Sequence, residues 1–308
     1  MRGSLRPLPL ALLACALLAG CTVTEQREKA ETESSLKVAH AEGETRVPAQ
    51  ADRVVALSPD SLDTSLALGV KPVGVATFDD KHVPGYLAPR VRGVERTGTY
   101  SKPWLDAVEF VGPNLILGEK DLQQRFYGRL NAIASTIFTD DRGHSWEVNT
   151  RLFGEALART DAAEKLLVRY DAVAARTREA LAPLRGTQAS VVRVLKGGRV
   201  EAAGARSFAG TLLGDAGLER PEAQLEEEDA IPVKGADLSA LDGDMILVSV
   251  EQGAGADWAA LRQKPEWARL KAVRERQVHE MPDDPWRTGG GVLGAELCQR
   301  RLAALLGR

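Results

Sequence analysis

The residues of this chain best suited to chemistry are aromatic and cationic, and the chemistry they suit is binding. Trp104, Trp146 and Trp286 stand at junctions between loops and helices rather than inside apolar periodic runs. A two-lobed α/β protein places its ligand contacts at such junctions. Arg193 and Arg206 sit beside strands of the second half, and Arg287 directly follows Trp286. Guanidinium groups present forked donors matched to anionic oxygens. Ser207 offers a hydroxyl, or a helix N-terminus, to the same kind of group. Tyr100 and Ser101, in the loop from Gly98 to Pro103, extend the candidate lining. Residue type alone leaves the ordinary alternatives open, since tryptophans commonly fill cores and arginines are commonly solvated surface charge. Trp258 and Trp267 are read as structural.

Covalent and metal chemistry find little support. There is no Gly-x-Ser-x-Gly elbow, and the Ser-x-x-Lys spacing of Ser34 and Lys37 falls in a polar stretch with no partners. A lipid-anchored hydrolase is the weaker reading. A metal site built from side chains needs a cluster of histidines and thiolates, and His40, His82, His144 and His279 are scattered. No cofactor is predicted. Of the three cysteines, Cys15 and Cys21 lie near the N-terminus and leave Cys298 alone, so no disulfide framework exists.

The N-terminus carries Arg2 and Arg6, then an apolar run from Leu8 to Ala19 that ends in Leu18-Ala19-Gly20-Cys21. The run is short for a membrane span, which takes about 20 apolar residues, and reads as a signal peptide over 1–20. Leucine three residues before a cysteine, with small residues between, resembles the lipobox of bacterial lipoproteins. That resemblance implies lipidation of Cys21 and a location on the extracytoplasmic face of the cell membrane. Residues 21–45 are rich in Glu, Lys, Ser and Gln and are predicted to form a disordered tether. Without Arg2 and Arg6, 38 basic residues of the original 40 face 43 acidic ones. This mild negative balance disfavours nucleic acid as a partner. A hydrophobic content of 44% with 27% charged residues suits a soluble globular body.

The elements that must position the candidate residues follow an α/β order. Arg53–Leu57 reads as a buried strand, Ser58-Pro59-Asp60 as the cap of a helix from Ser61 to Leu68, and Val70–Val75 as the next strand. Helix, strand, helix and strand follow at 104–111, 113–117, 122–134 and 135–138. From Glu147 to Leu184 apolar residues recur at helical spacing, including Leu166, Leu167, Tyr170, Val173, Ala174 and Leu181. One long helix is predicted there, with Thr160-Asp161 opening its second half. Strands resume at 189–195 and 245–250, with a helix at 211–216 between them, an acidic loop around Glu226-Glu227-Glu228-Asp229, and a last helix over 294–306. The predicted fold class is α/β, with two three-layer α/β lobes joined by a single long linker helix. The lobes occupy 46–150 and 186–308, and the linker 151–185.

Several blocks in order resemble a known family. Val54-Val55-Ala56-Leu57 with Leu66-Ala67-Leu68-Gly69-Val70-Lys71-Pro72-Val73-Gly74-Val75, then Gly112-Pro113-Asn114-Leu115-Ile116-Leu117, open the match. Ser207-Phe208-Ala209-Gly210-Thr211-Leu212-Leu213, Leu241–Val248, Trp267–Val273 and Trp286-Arg287-Thr288-Gly289-Gly290-Gly291 complete it. Together they resemble the substrate-binding lipoproteins of ABC importers for ferric siderophores, haem and cobalamin, over residues 45 to 306. Ser145-Trp146-Glu147 and Ser190–Val194 resemble the iron–siderophore branch more than the cobalamin branch. The resemblance implies a monomeric, non-enzymatic binding protein of the helical-backbone periplasmic-binding-protein type. It would close only slightly around a ferric siderophore in the cleft between lobes, with haem and cobalamin as alternative ligands, and then dock on a permease. It also strengthens Trp286 and Arg206 as cleft residues. Docking in the family uses one acidic residue per lobe. Asp106, after Pro103-Trp104-Leu105, stands where the family has a glutamate. In the second lobe Ala236 takes the expected place and Asp237 is the nearest substitute, equally readable as an acid at a helix N-terminus.

Overall fold

The computed structural model describes residues 35–79, 81–141, 145–233 and 238–307. A hairpin of β1 (Ser35–His40) and β2 (Gly43–Pro48) comes first. The N-terminal lobe then winds through β3 (Val54–Ala56), α1 (Pro59–Ala67), β4 (Gly74–Thr77), β5 (Glu95–Thr99) and β6 (Lys102–Pro103). It continues with α2 (Leu105–Phe110), β7 (Leu115–Glu119), α3 (Lys120–Gln123), α4 (Tyr127–Ile133) and β8 (Ser135–Thr139). Its sheet runs in the order β6-β5-β4-β3-β7-β8, parallel except for β6. Every residue of β3 and β7 is buried, as a parallel strand covered by helices on both faces requires. The Ser58 hydroxyl accepts from the Ser61 amide and starts α1 where the sequence placed its cap.

Two helices join the lobes, α5 (Trp146–Ala156) and α6 (Thr160–Ala180). The single linker helix predicted over 151–185 is therefore broken. The Ala158 amide donates to the Glu155 carbonyl and the Arg159 amide to that of Gly154. This closes α5 with a Schellman turn whose left-handed residue, Ala158, has φ of 53°. Glycine is the usual stop signal at that position, and its replacement by alanine hid the break. The two helices also pack tightly, since a Cβ on Gly154 would fall 2.5 Å from that of Ala163.

The C-terminal lobe holds β9 (Ala189–Val194), β10 (Val200–Ala203), α7 (Phe208–Asp215), β11 (Ala230–Val233) and β12 (Met245–Val250). Then come α8 (Gly255–Arg262), α9 (Pro265–Arg269), α10 (Lys271–Arg274) and β13 (Val278–Glu280). Its sheet order is β11-β10-β9-β12-β13, with β10 antiparallel to both neighbours. The last helix, α11 (Val292–Leu306), packs against α6, α1 and α7, and so touches both lobes. Trp258 and Trp267 are buried edge to face at 5.2 Å, the structural role read for them.

The folded body begins earlier than the sequence suggests. Residues 21–45 read as a disordered tether, yet from Ser35 the chain forms the hairpin. Val38 and Val47 are fully buried, and two valines inside a polar window are enough to dock it. The Ala41 amide donates to the Phe138 carbonyl at 3.0 Å, and the Phe138 amide to His40 Nδ1 at 3.2 Å. His40 Nε2 therefore carries the proton and donates to Thr45 Oγ1 at 2.9 Å. Burial lowers the His40 pKa against the raising influence of Glu42, so the fold favours the neutral ring. Its stabilising contribution is complete above the ordinary histidine pKa of about 6.5 and is lost as pH falls through the lowered value. Unfolding free energies of the native protein and a His40→Gln variant, measured from pH 7 down to pH 5, should diverge at neutral pH and converge at acid pH. Parallel curves would refute this role.

Candidate functional site

A pocket partly open to solvent lies on the C-terminal lobe at the ends of β9, β10 and β12. The start of α7 and the loop from Met281 to Gly289 complete its wall. Its floor is a row of register partners on one face of the sheet, with Glu201 of β10 opposite Arg193 of β9, and Arg193 opposite Ser249 of β12. Arg193 Nε and Nη2 each donate to the Asp283 carboxylate at 2.7 Å. The Ser249 hydroxyl donates to the same carboxylate at 3.0 Å. Glu201 Oε1 lies 3.7 Å from Arg193 Nη1 and 3.8 Å from Arg287 Nε. Burial alone would lower the Arg193 pKa, but Asp283, Glu201 and Glu251 push it up.

Aromatic and apolar groups close the pocket. Trp286 is only 4% exposed, and its indole N–H is buried with no acceptor among the described residues. Phe208 and Met281 stand beside it in the wall. Ser207 caps α7, accepting from the Gly210 amide at 2.9 Å while donating to the Gly204 carbonyl at 2.7 Å. The neighbouring turn is held by Arg220, which donates to the Ala203 and Gly204 carbonyls and whose pKa burial lowers to about 10.

Of the residues singled out in the sequence, the pocket brings together Arg193, Ser207, Trp286 and Arg287. Four others lie elsewhere. Trp146 is completely buried, packed edge to face against Tyr170 at 4.7 Å and Phe208 at 6.2 Å. It is a core residue between the lobes, which corrects the expectation of a ligand contact. Tyr100 is likewise buried in the N-terminal lobe, edge to face with Phe78 at 4.9 Å. Trp104 is 42% exposed at the N-cap of α2. Arg206 bridges the lobes through Asp141 at 2.9 Å. Asp106 is exposed in the first turn of α2, whereas Cys21 and Asp237 fall outside the described residues. Glu201, Asp283, Phe208 and Met281 were not foreseen. Asp283 stands 90 residues from the arginine it pairs with, and no local pattern links the two.

The junction between the lobes is held by a buried carboxylate. Asp63 of α1 is fully buried and accepts from the Leu293 and Gly294 amides at the start of α11, both at 2.9 Å, and from the Tyr86 hydroxyl at 2.7 Å. Burial raises its pKa to about 6, against the lowering effect of those bonds and of Arg90. The glycine run of the sequence serves this approach, since a Cβ on Gly291 would fall 2.7 Å from Asp63 Cβ.

A bilobed α/β body with a pocket at the strand ends of its C-terminal lobe is matched by the family described as periplasmic binding protein, over residues 54–285. The chain belongs to the periplasmic binding protein family. Within it, the chain is 30% identical over 301 residues to the probable siderophore-binding lipoprotein YfiY of Bacillus subtilis, covering 92% of each chain. It is 26% identical to the Fe(3+)-citrate-binding protein YfmC of the same organism, over 92% of this chain and 91% of that one. Staphylococcus aureus SirA, solved in complex with staphyloferrin B, superposes with a TM-score of 0.80 at 25% identity, over 88% of this chain and 98% of that one. The two-lobed α/β fold expected from the sequence is present.

The Arg193–Asp283 pair organises the pocket floor, with the two side chains 19% and 20% exposed. Asp283→Ala leaves that guanidinium without its bidentate partner and should cost about 3 kcal/mol. The Arg193→Met/Asp283→Ala double variant should cost less than the two single changes combined, with a coupling of about 1 kcal/mol or more in chemical denaturation. Additive costs would contradict the pairing.

Proposed function

We propose that this protein is an extracytoplasmic binding lipoprotein that captures a ferric siderophore between its lobes and delivers it to an ABC permease for iron uptake. The observation that carries the reading is the pocket wall around Trp286. A buried indole N–H without an acceptor among the described residues leaves a hydrogen bond to be made, and the oxygen shell of a ferric chelate supplies acceptors. A ferric siderophore arrives as a finished chelate, so its carrier recognises the periphery and need not ligate the iron. Among the described residues no group of three or more His, Cys, Asp or Glu side chains is placed to hold a metal ion. The names of YfiY and YfmC support the same ligand class.

The anchor and the docking residues belong to the same proposal. Among the described residues no helix is long and apolar enough to cross a membrane, and lipid on Cys21 would hold the body at the membrane surface. Asp106, exposed on α2, would meet a basic group of the permease, with Asp237 as the contact from the second lobe.

Titration with ferric hydroxamate, citrate and catecholate chelates should quench tryptophan fluorescence saturably, with an affinity of about micromolar or tighter for at least one of them. Trp286→Phe should weaken that affinity about tenfold. Asp106→Lys should leave it unchanged while abolishing uptake in cells. Absence of quenching by every chelate would refute the carrier, and full uptake by the Asp106→Lys variant would refute the docking assignment.

A further inference from the structure

The charge around the pocket is not what a plain anion receptor would carry. Arg193 and Arg287 are matched in the wall by Glu201, Asp229 and Asp283. Asp283 consumes two of the Arg193 donors. Arg206, the third candidate cation, lies outside the wall and directs one nitrogen to Asp141. Beside Asp229 the rim continues into exposed Glu226, Glu227 and Glu228. Glu201 is the central group of this arrangement. Its carboxylate stands 3.7 and 3.8 Å from the two arginines, beyond hydrogen-bond length, and its side chain remains 18% exposed. It offers acceptor positions at the floor while screening the arginines from an incoming anion.

We infer that Glu201 sets the charge selectivity of the pocket, favouring ferric chelates that are neutral or cationic, such as trihydroxamates, over polyanionic citrate and triscatecholate complexes. The inference rests on the siderophore reading and narrows it. A carboxylate in a partly desolvated pocket repels a multiply charged anion strongly, whereas amide N–H and ammonium groups at the edge of a hydroxamate chelate can donate to it. The acidic rim acts in the same direction at longer range, and salt screens that part of the effect.

The test is a fluorescence titration of the native protein and of Glu201→Gln with a ferric trihydroxamate, ferric citrate and a ferric triscatecholate, each at low and high salt. The native protein should bind the trihydroxamate at least about tenfold tighter than either anion. Glu201→Gln should narrow that gap by tightening the anions, and high salt should narrow it in the native protein. Binding of either anion as tightly as the trihydroxamate by the native protein overturns the inference and leaves the siderophore reading standing. An affinity gap as wide in Glu201→Gln as in the native protein does the same. If none of the three chelates binds, both fail together.

Discussion

The structure depends on one constraint, a core that does not stop at the boundary between the lobes. Trp146 enters α5 from the N-terminal side and is sealed against Tyr170 of α6 and Phe208 of α7. Around it a single apolar cluster runs from Val54 and Leu117 of the first sheet to Val191 and Leu247 of the second. Separating the lobes would expose that surface at roughly 25 cal/mol per Å2. The Asp63 carboxylate adds a polar lock, because it satisfies two amides at the N-terminus of α11 that have no partner within their own helix.

The pocket inherits its form from that lock. Phe208 belongs at once to the shared core and to the pocket wall, so the wall cannot move without disturbing the junction. The loop carrying Trp286 and Arg287 is pinned on both sides, with Arg193 holding Asp283 and the Tyr86 amide donating to Asp284 at 2.9 Å. A ligand therefore meets a surface whose Arg193–Asp283 pair is already ordered before it arrives. That order lowers the cost of binding and makes the residual charge of the pocket, rather than its closure, the basis of selection.

The sequence was legible where packing repeats locally. Strands β3, β7, β9 and β12 are short segments dominated by Val, Ile and Leu, and Ser58-Pro59-Asp60 announces α1 by its capping chemistry. Strands β5, β6, β10, β11 and β13 are short or near a sheet edge and carry mixed residues, so no period marked them. Ala158 broke the linker without the glycine that usually signals a stop, and Val38 and Val47 docked a hairpin whose average composition is polar. The site was half legible. Tryptophan and arginine types located Trp286, Arg287, Arg193 and Ser207, but nothing local distinguished a buried Trp146 from a pocket Trp286. The acids that tune the pocket were hidden because Glu201 and Asp283 acquire their roles only through pairing across the sheet and across the lobe.

If the shared core fixes the lobes, ligand binding should leave the shape of the molecule nearly unchanged. Small-angle X-ray scattering of the protein, free and saturated with a ferric chelate that quenches its tryptophans, measures this directly. The account predicts the same radius of gyration within experimental precision for both states. A clear contraction on saturation, of the kind that hinge closure between domains produces, would contradict it.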